Sequence, residues 1–366
     1  MLLLYHKRTT MSLLLLTALT SLMTLICVVL SLSAATVRVR FDNKLDLMTP
    51  PDAKGNGSIT DYSISAERLL TRPDTHSEYD VTASAQHDHN QSMHRLDLGC
   101  FAESTVITRN HRAQIAIFTH SSPQNFKLRH AIRQTWGRDD VLHSYGALLY
   151  FVIGAPAEQF SSLHEYIKEE SHRYGDVILL QFQDSYRTLT QKSLCMLQWT
   201  QRHCDDVKYV IKSDDDVYFN VSRLSAFLLN NDTIREFDVT GRLFMLGHVI
   251  TGARRQVDRR NKYFTPEVIY QKSTYPPFLS GSAYIIPYRL VPRLLTTAQS
   301  RTSFWLEDVF LTGIVGRALN VSLLHNDLFV IAKNIGRYWF KRSYPFMSLH
   351  SVTYREMYHL YQNVSQ

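Results

Sequence analysis

The residues best equipped for chemistry stand together in "YVIKSDDDVYFN", residues 209–220. Three successive aspartates, Asp214, Asp215 and Asp216, follow directly on a run of strand-forming residues. Like charges on neighbouring residues repel, and burying even one of them is costly without compensation. One explanation is an Asp-rich turn, in which the side chains bond their own local backbone. The other is a divalent cation, for which carboxylates are hard oxygen ligands and which relieves their repulsion. Such a site takes one or two carboxylates from the protein and leaves other positions to water and phosphate oxygens.

The flanking sequence supplies the elements that would hold such a site. "AQIAIFTHS", "ALLYFVIGAP", "DVILLQF" and "VKYVIKS" read as buried strands. "NFKLRHAIRQTWG", ending at Gly137, "EQFSSLHEYIKEESHRYG" and "LTQKSLCMLQWTQRHC" read as the helices between them. Strands alternating with helices predict an α/β fold whose mostly parallel, twisted sheet is covered on both faces. Ligands of such sheets sit outside the carboxyl ends of the strands, where the three aspartates stand. Asn220 is placed to cap the helix "VSRLSAFLLN", so the turn and the metal readings are compatible. No G-x-G-x-x-G or Walker loop occurs, which counts against dinucleotide and P-loop chemistry.

The whole chain sets bounds. Its 366 residues allow one large domain with appendages or two ordinary ones, and 45% hydrophobic with 20% charged residues is a globular composition. A net charge of +7, without any Lys/Arg run, excludes a nucleic-acid arm but suits an anionic substrate. "HKR" at His6–Arg8 precedes an apolar stretch with no charge before Arg38, longer than the roughly 20 residues that cross a bilayer. Residues 1–10 therefore read as a cytoplasmic tail, 11–35 as a transmembrane signal anchor, and the polar 36–99 as a disordered lumenal stem, leaving 100–366 as the lumenal domain. A cleaved signal peptide at Ser33–Ala35 is the alternative, but its apolar core would be shorter. The arrangement is single-pass, type II. Asn56, Asn90, Asn231, Asn320 and Asn363 open glycosylation triplets, as does Asn220, whose capping role argues against its use. Of the lumenal cysteines, Cys195 and Cys204 would lie about 13 Å apart along one helix, too far to pair with each other. Cys100–Cys204 is the preferred disulfide.

"LRHAIRQTWG", "DSYRTLTQKS", "YVIKSDDDVYFN", "YPPFLSGSAYIIP", "LEDVFLTGI" and "SLHSVTYREM" occur in an order that resembles the animal β-1,3-glycosyltransferases, particularly the β-1,3-galactosyltransferases. The resemblance runs from about Cys100 to the C-terminus, and the anchor and stem match that family's Golgi type II layout. It implies the nucleotide-sugar-binding fold called GT-A, with a D-x-D motif holding Mn²⁺ against the diphosphate of a UDP-sugar. Asp216 then becomes a direct metal ligand, Asp214 faces the metal or the ribose, Asp215 stands beside the nucleotide, and His350 supplies a nitrogen ligand. Asp308 is implied as catalytic base and Glu307 as an acceptor contact, although an acidic pair also suits a helix N-terminus. Arg133 and Lys192 are implied near the nucleotide, and Gly281 beside the donor sugar. Relatives often carry Cys where Leu279 stands, so one of their disulfides is missing here.

The expected activity is metal-dependent, inverting transfer of galactose from UDP-galactose to a 3-hydroxyl of a glycan on a glycoprotein or glycolipid. N-acetylglucosamine or N-acetylgalactosamine transfer is the alternative, and a non-catalytic lumenal binding protein on the same fold is the second. A metal-dependent phosphohydrolase would need more carboxylate or His ligands than these strand ends provide.

Overall fold

The computed structural model describes Cys100 and residues 113–158, 161–204, 206–331 and 345–364. The expected tail, anchor and stem over residues 1–99, with Asn56 and Asn90, lie outside the described residues. Among the described residues no helix is long and apolar enough to cross a membrane.

Four strands rich in β-branched and aromatic residues build one half of the sheet: β1 (Ile115–Ser121), β2 (Ala147–Ala155), β3 (Val177–Gln183) and β4 (Tyr209–Asp214). They are parallel, and each connection passes through helix: α1 (Phe126–Gln134) and α2 (Asp139–Ser144), then α3 (Ser161–Tyr174), then α4 (Leu189–His203). The other half is β6 (Phe244–Ile250), β7 (Phe278–Pro287) and β8 (Ser322–His325), giving the order β3-β2-β1-β4-β7-β6-β8. Only β7 runs against its neighbours. The α/β, mostly parallel arrangement is as the sequence predicts.

Side chains alternate between the faces, as the strand period requires. Ile115, Ile117, Ile211 and Ile285 pack on one side with Ile132 and Trp136. Ala116, Phe118, Val210 and Ile286 pack on the other with Leu194 and Leu197 of α4. With both faces buried, the polar groups at the strand ends sit at the rim of an apolar slab.

A second, three-stranded sheet has the order β5 (Tyr218–Phe219), β10 (Ser348–Leu349) and β9 (Phe329–Val330). It brings a segment late in the chain onto the turn after β4, and Val352 N donates to the Asp216 carbonyl at 2.9 Å. Asn220 caps α5 (Val221–Asn230) by accepting from Arg223 N at 3.0 Å. Asn231 caps α6 (Asp232–Thr240) in the same way.

Two expectations need correction. Helix α1 ends at Gln134, short of Gly137, whose φ is not left-handed. Gly137 is instead a close approach, since a Cβ there would meet Ile132 and Leu149 side chains at 2.7 and 2.8 Å. The disulfide joins Cys100 to Cys195, with Cα atoms 5.4 Å apart, and not to Cys204. Cys195 is buried in the middle of α4, facing the apolar layer that Cys100 enters, whereas Cys204 is the C-terminal cap of the helix. Helix spacing could exclude a Cys195–Cys204 bond, but the choice between the remaining two depended on which helix face met Cys100.

Candidate functional site

The turn after β4 divides the three aspartates between two environments. Asp214 ends the strand on the α4 face, and Lys212, two residues earlier, shares that face and donates to Asp214 Oδ1 at 2.6 Å. Asp215 turns the other way. Its Oδ2 accepts from Ser121 Oγ at 2.6 Å and Asn125 Nδ2 at 2.9 Å, in the loop after β1. Burial raises its pKa to about 6 against the pull of those two bonds. The loop is itself fixed by Arg129, fully buried, which donates to Ser121 Oγ and the Ser122 carbonyl and is paired with Glu170. Asp215 therefore ties the turn to the loop after β1 through Ser121 and Asn125, on the side of the turn away from Lys212.

Asp216 meets the late segment. Its Oδ2 lies 3.5 Å from His350 Nε2, and one ligand atom each from Asp214, Asp216 and His350 lie within 4.8 Å of one another. Burial raises the pKa of Asp216, opposed by His350 and reinforced by Asp214. Two carboxylate oxygens and an imidazole nitrogen are a donor set suited to Mn²⁺ and its neighbours. Their crowding is the repulsion a cation would relieve, so the residues fit a divalent metal.

The second acidic motif lies across β7. Asp308 Oδ2 accepts from Gly281 N at 3.2 Å and its Oδ1 from Val309 N at 2.8 Å, at the start of a π-helical turn, Val309–Val315. Burial first, then the charge of Glu307, raise its pKa to about 6. Gly281 is needed for this approach, because a Cβ there would sit 3.2 Å from Asp308 Oδ2. So Gly281 faces the carboxylate of Asp308. Glu307 is not an open acceptor contact: it is 5% exposed, and its Oε1 accepts from Ser193 Oγ at 2.8 Å and from the Tyr284 hydroxyl.

Lys212 joins the two halves. Buried, it donates to Asp214 and to the Gly281 carbonyl, and its Nζ lies 3.9 Å from Glu307 Oε2. Desolvation is outweighed by Asp214, then Glu307, so it stays charged with a raised pKa. Sequence reasoning passed over Lys212, yet its spacing of two before Asp214 in a strand was the signal for it.

The two predicted cations separate. Lys192 lies at the carboxyl ends of the strands, donating to Asp184 Oδ2 at 2.7 Å and the Ser121 carbonyl at 3.2 Å. Arg133 does not join it. Its guanidinium binds Asp176 and Glu170 and stacks on Phe151 and Tyr174, beside β3, which is three strands from β4. A cavity of ≈ 450 Å³ opens there, lined by Arg133, His130, Phe126 and Tyr354 among others, away from the acidic cluster. His120, unforeseen, is the penultimate residue of β1, in register with Asp214. It is buried, has no hydrogen-bond partner among the described residues, and is held neutral by burial, then by Lys212 and Lys192.

Comparison with known proteins agrees with this arrangement. The family model described as Galactosyltransferase matches residues 127–327, which include both acidic motifs. Beta-1,3-galactosyltransferase 1 of Homo sapiens is 30% identical over 254 residues, spanning 69% of this chain and 74% of that protein, and that of Mus musculus matches equally. A lactosylceramide 1,3-N-acetyl-beta-D-glucosaminyltransferase of Xenopus tropicalis is 28% identical over 220 residues, 58% of this chain and 56% of that one. A galactosyltransferase solved with donor and acceptor sugar analogs overlays with a TM-score of 0.36 at 10% identity, over 69% of this chain and 96% of that one. With more than half its length matched by one family model, the chain belongs to the animal β-1,3-glycosyltransferases.

Proposed function

We propose that the protein is an inverting β-1,3-galactosyltransferase that uses UDP-galactose and a divalent cation, best Mn²⁺. The observation that carries this reading is the pairing of two acidic sites across β7: the Asp214–Asp216–His350 cluster and Asp308, joined through Lys212. Asp214, Asp216 and His350 would hold the cation, which offsets the charge of the diphosphate leaving group. Asp308, with a pKa near 6, is ionised at neutral pH and placed to accept a proton. In the transfer, the acceptor oxygen bonds to the anomeric carbon, its proton passes to the Asp308 carboxylate, and the bond from that carbon to the phosphate oxygen breaks. UDP carries away the electron pair. Attack on the opposite face turns an α-linked donor into a β-linked product. Lys212 keeps Asp214, Gly281 and Glu307 in register, and Gly281 N–H orients the base.

The rival donor is UDP-N-acetylglucosamine, which the 28% identical relative's name brings into question. The same proposal sets the chain in the Golgi membrane with its folded part lumenal. Support comes from the apolar segment over 11–35, the glycosylation triplets and the Cys100–Cys195 disulfide, which suits an oxidising compartment. The test is UDP release from UDP-galactose, UDP-N-acetylglucosamine and UDP-N-acetylgalactosamine against a panel of sugar acceptors with Mn²⁺. Acceptor-dependent turnover with one donor, lost with EDTA and in Asp308→Asn, supports the reading and names the sugar. A folded chain that binds neither UDP nor Mn²⁺ overturns it.

A further inference from the structure

Residues 251–277, between β6 and β7, hold aliphatic side chains out to solvent. Val257, Val268 and Ile269 are 69%, 75% and 56% exposed, and outside this segment Val239 is the one large apolar side chain among the described residues that is as open. The exposure is not slack in the chain. Arg255 N donates to the Ser273 carbonyl and Tyr275 N to the Ala253 carbonyl, both at 2.9 Å, which closes the base of the segment. Within it, Thr265 N donates to the Gln256 carbonyl at 2.9 Å, and the buried Thr265 hydroxyl accepts from the Tyr275 hydroxyl at 3.0 Å. The Tyr270 ring, 4.9 Å from that of Tyr275 and 5.7 Å from that of Phe304, roots a turn in which Ile269 N and Tyr270 N both donate to the Pro266 carbonyl. Gln256 and Phe264 bridge in parallel, so Val257 leaves this scaffold at the same end as the turn bearing Val268 and Ile269. A lone exposed apolar residue needs no explanation, but three presented together from a braced scaffold mark a surface that something covers.

The charge of the segment says what. It holds six Lys or Arg against two Asp or Glu. Both acids are taken, Asp258 by Arg260 at 3.2 Å and Glu267 by Arg255 at 3.5 Å. Arg259, Lys262 and Lys272 are exposed, and among the described residues no carboxylate pairs with them. Aliphatic tips among unpaired cations suit the headgroup boundary of an anionic bilayer, where the tips sink below the phosphates that the cations meet. A protein partner is the poorer match, since protein hot spots draw on Trp and Tyr and use Val rarely. The apolar stretch over 11–35, read above as an anchor, would keep the segment beside a bilayer.

We propose that residues 251–277 dock on a membrane surface, with Val257, Val268 and Ile269 entering the headgroup boundary and Arg259, Lys262 and Lys272 meeting lipid phosphates. The segment also reaches the acidic site: the Tyr263 ring centre is 6.2 Å from that of Tyr186, itself 5.6 Å from that of Trp305, three residues before Asp308. A docked chain therefore holds that site beside the headgroups.

The test uses the full-length chain in vesicles of phosphatidylcholine and phosphatidylglycerol whose phosphatidylcholine carries bromine on its acyl chains, a quencher of indole fluorescence at known depth. In Val268→Trp the fluorescence that the new indole adds to that of the native tryptophans is largely quenched. Val257→Trp repeats the reading at the other tip, so a loss of folding in one variant leaves the second. Replacing Arg259, Lys262 and Lys272 by Gln lowers the docked-to-free ratio by about a hundredfold, at about fivefold for each cation near an anionic surface, and abolishes most of the quenching. Vesicles of phosphatidylcholine alone do the same. Val239→Trp, more exposed but on α6, stays bright; quenching there equal to that at Val268 would mean general adsorption to lipid and overturn the site. An unquenched indole in a Val257→Trp or Val268→Trp chain that melts at the wild-type temperature also overturns it. So does self-association in detergent that Val257→Ser/Val268→Ser/Ile269→Ser removes, which would assign the face to a second copy of the chain. No arm needs UDP or an acceptor, so failure here leaves the transferase reading standing.

Discussion

Asp308→Asn should remove activity and, at neutral pH, remove a cost to stability. Holding Asp308 ionised in the folded chain is unfavourable, because burial and Glu307 raise its pKa from an ordinary 3.8 to about 6. A shift of that size corresponds to about 3 kcal/mol, and partial exposure of the residue trims it to about 2 kcal/mol. The sign follows from proton binding. Between these two pKa values the folded chain holds a proton that the unfolded chain has released, so stability falls as pH rises from about 4 to about 6. Above that the cost is constant. Asparagine has no such dependence, although its amide NH₂ faces either Gly281 N–H or Val309 N–H, both donors, for a fixed penalty of about 1–3 kcal/mol. That penalty is the same at every pH. The stability of the variant relative to wild type should therefore improve by about 2 kcal/mol between pH 4 and pH 7, or several degrees in Tm. Denaturation of both proteins with EDTA present, at half-unit pH steps, measures it. Alongside, kcat of the variant falls by about 10²–10⁴. A relative stability flat across this range would refute the burial argument, and a retained kcat would refute the assignment of the base.

Other outcomes follow from the same geometry. His350→Ala should raise the Mn²⁺ concentration for half-maximal UDP release by about tenfold or more, with Asp216→Asn at least as severe; calorimetry of UDP with Mn²⁺ checks that the loss is in binding. Arg133→Met should cost about 3 kcal/mol of stability by leaving Asp176 and part of Glu170 uncompensated, while UDP affinity stays at the wild-type value; a weakened affinity would restore Arg133 to the nucleotide. Cys195→Ser should lose about 4 kcal/mol through the 95-residue separation it no longer closes. A non-reducing peptide map should show Cys100 joined to Cys195, and a Cys100–Cys204 fragment would contradict the structure.

Much of the fold was legible because the parallel strands, buried on both faces, read as unbroken apolar runs: "IAIFTHS", "ALLYFVIGA" and "VILLQFQ" are strands almost to the residue. The cap at Asn220 was equally local. What escaped the sequence depended on direction. Asp214, Asp215 and Asp216 look alike in a string, yet only the pleat and the Arg129-braced loop after β1 send Asp215 away from the other two. Arg133 and Arg129 sit one helical turn apart on α1, and both are spent on carboxylates of the β3 side. Glu307 and Asp308 are neighbours with opposite fates, one sealed by Ser193 and Tyr284, the other left at the edge of Gly281. Partners brought together from more than a hundred residues apart, such as Ser193 and Glu307, leave no periodic trace.

The placement of β10 makes the cation cluster depend on chain that follows the whole of the large sheet. The large sheet is complete once β8 has been made, but the cation cluster lacks its imidazole, and the Asp216 carbonyl lacks its partner Val352, until the last stretch of chain pairs with β5 and β9. A nascent chain that has left the ribosome only as far as β8 would hold the three aspartates without the arrangement that uses them. Early termination within that last stretch removes His350 from the cluster and also takes Phe346, Met347, Leu349, Val352 and Met357 out of the buried core, so the cation cluster and part of the sheet's apolar cover are lost together.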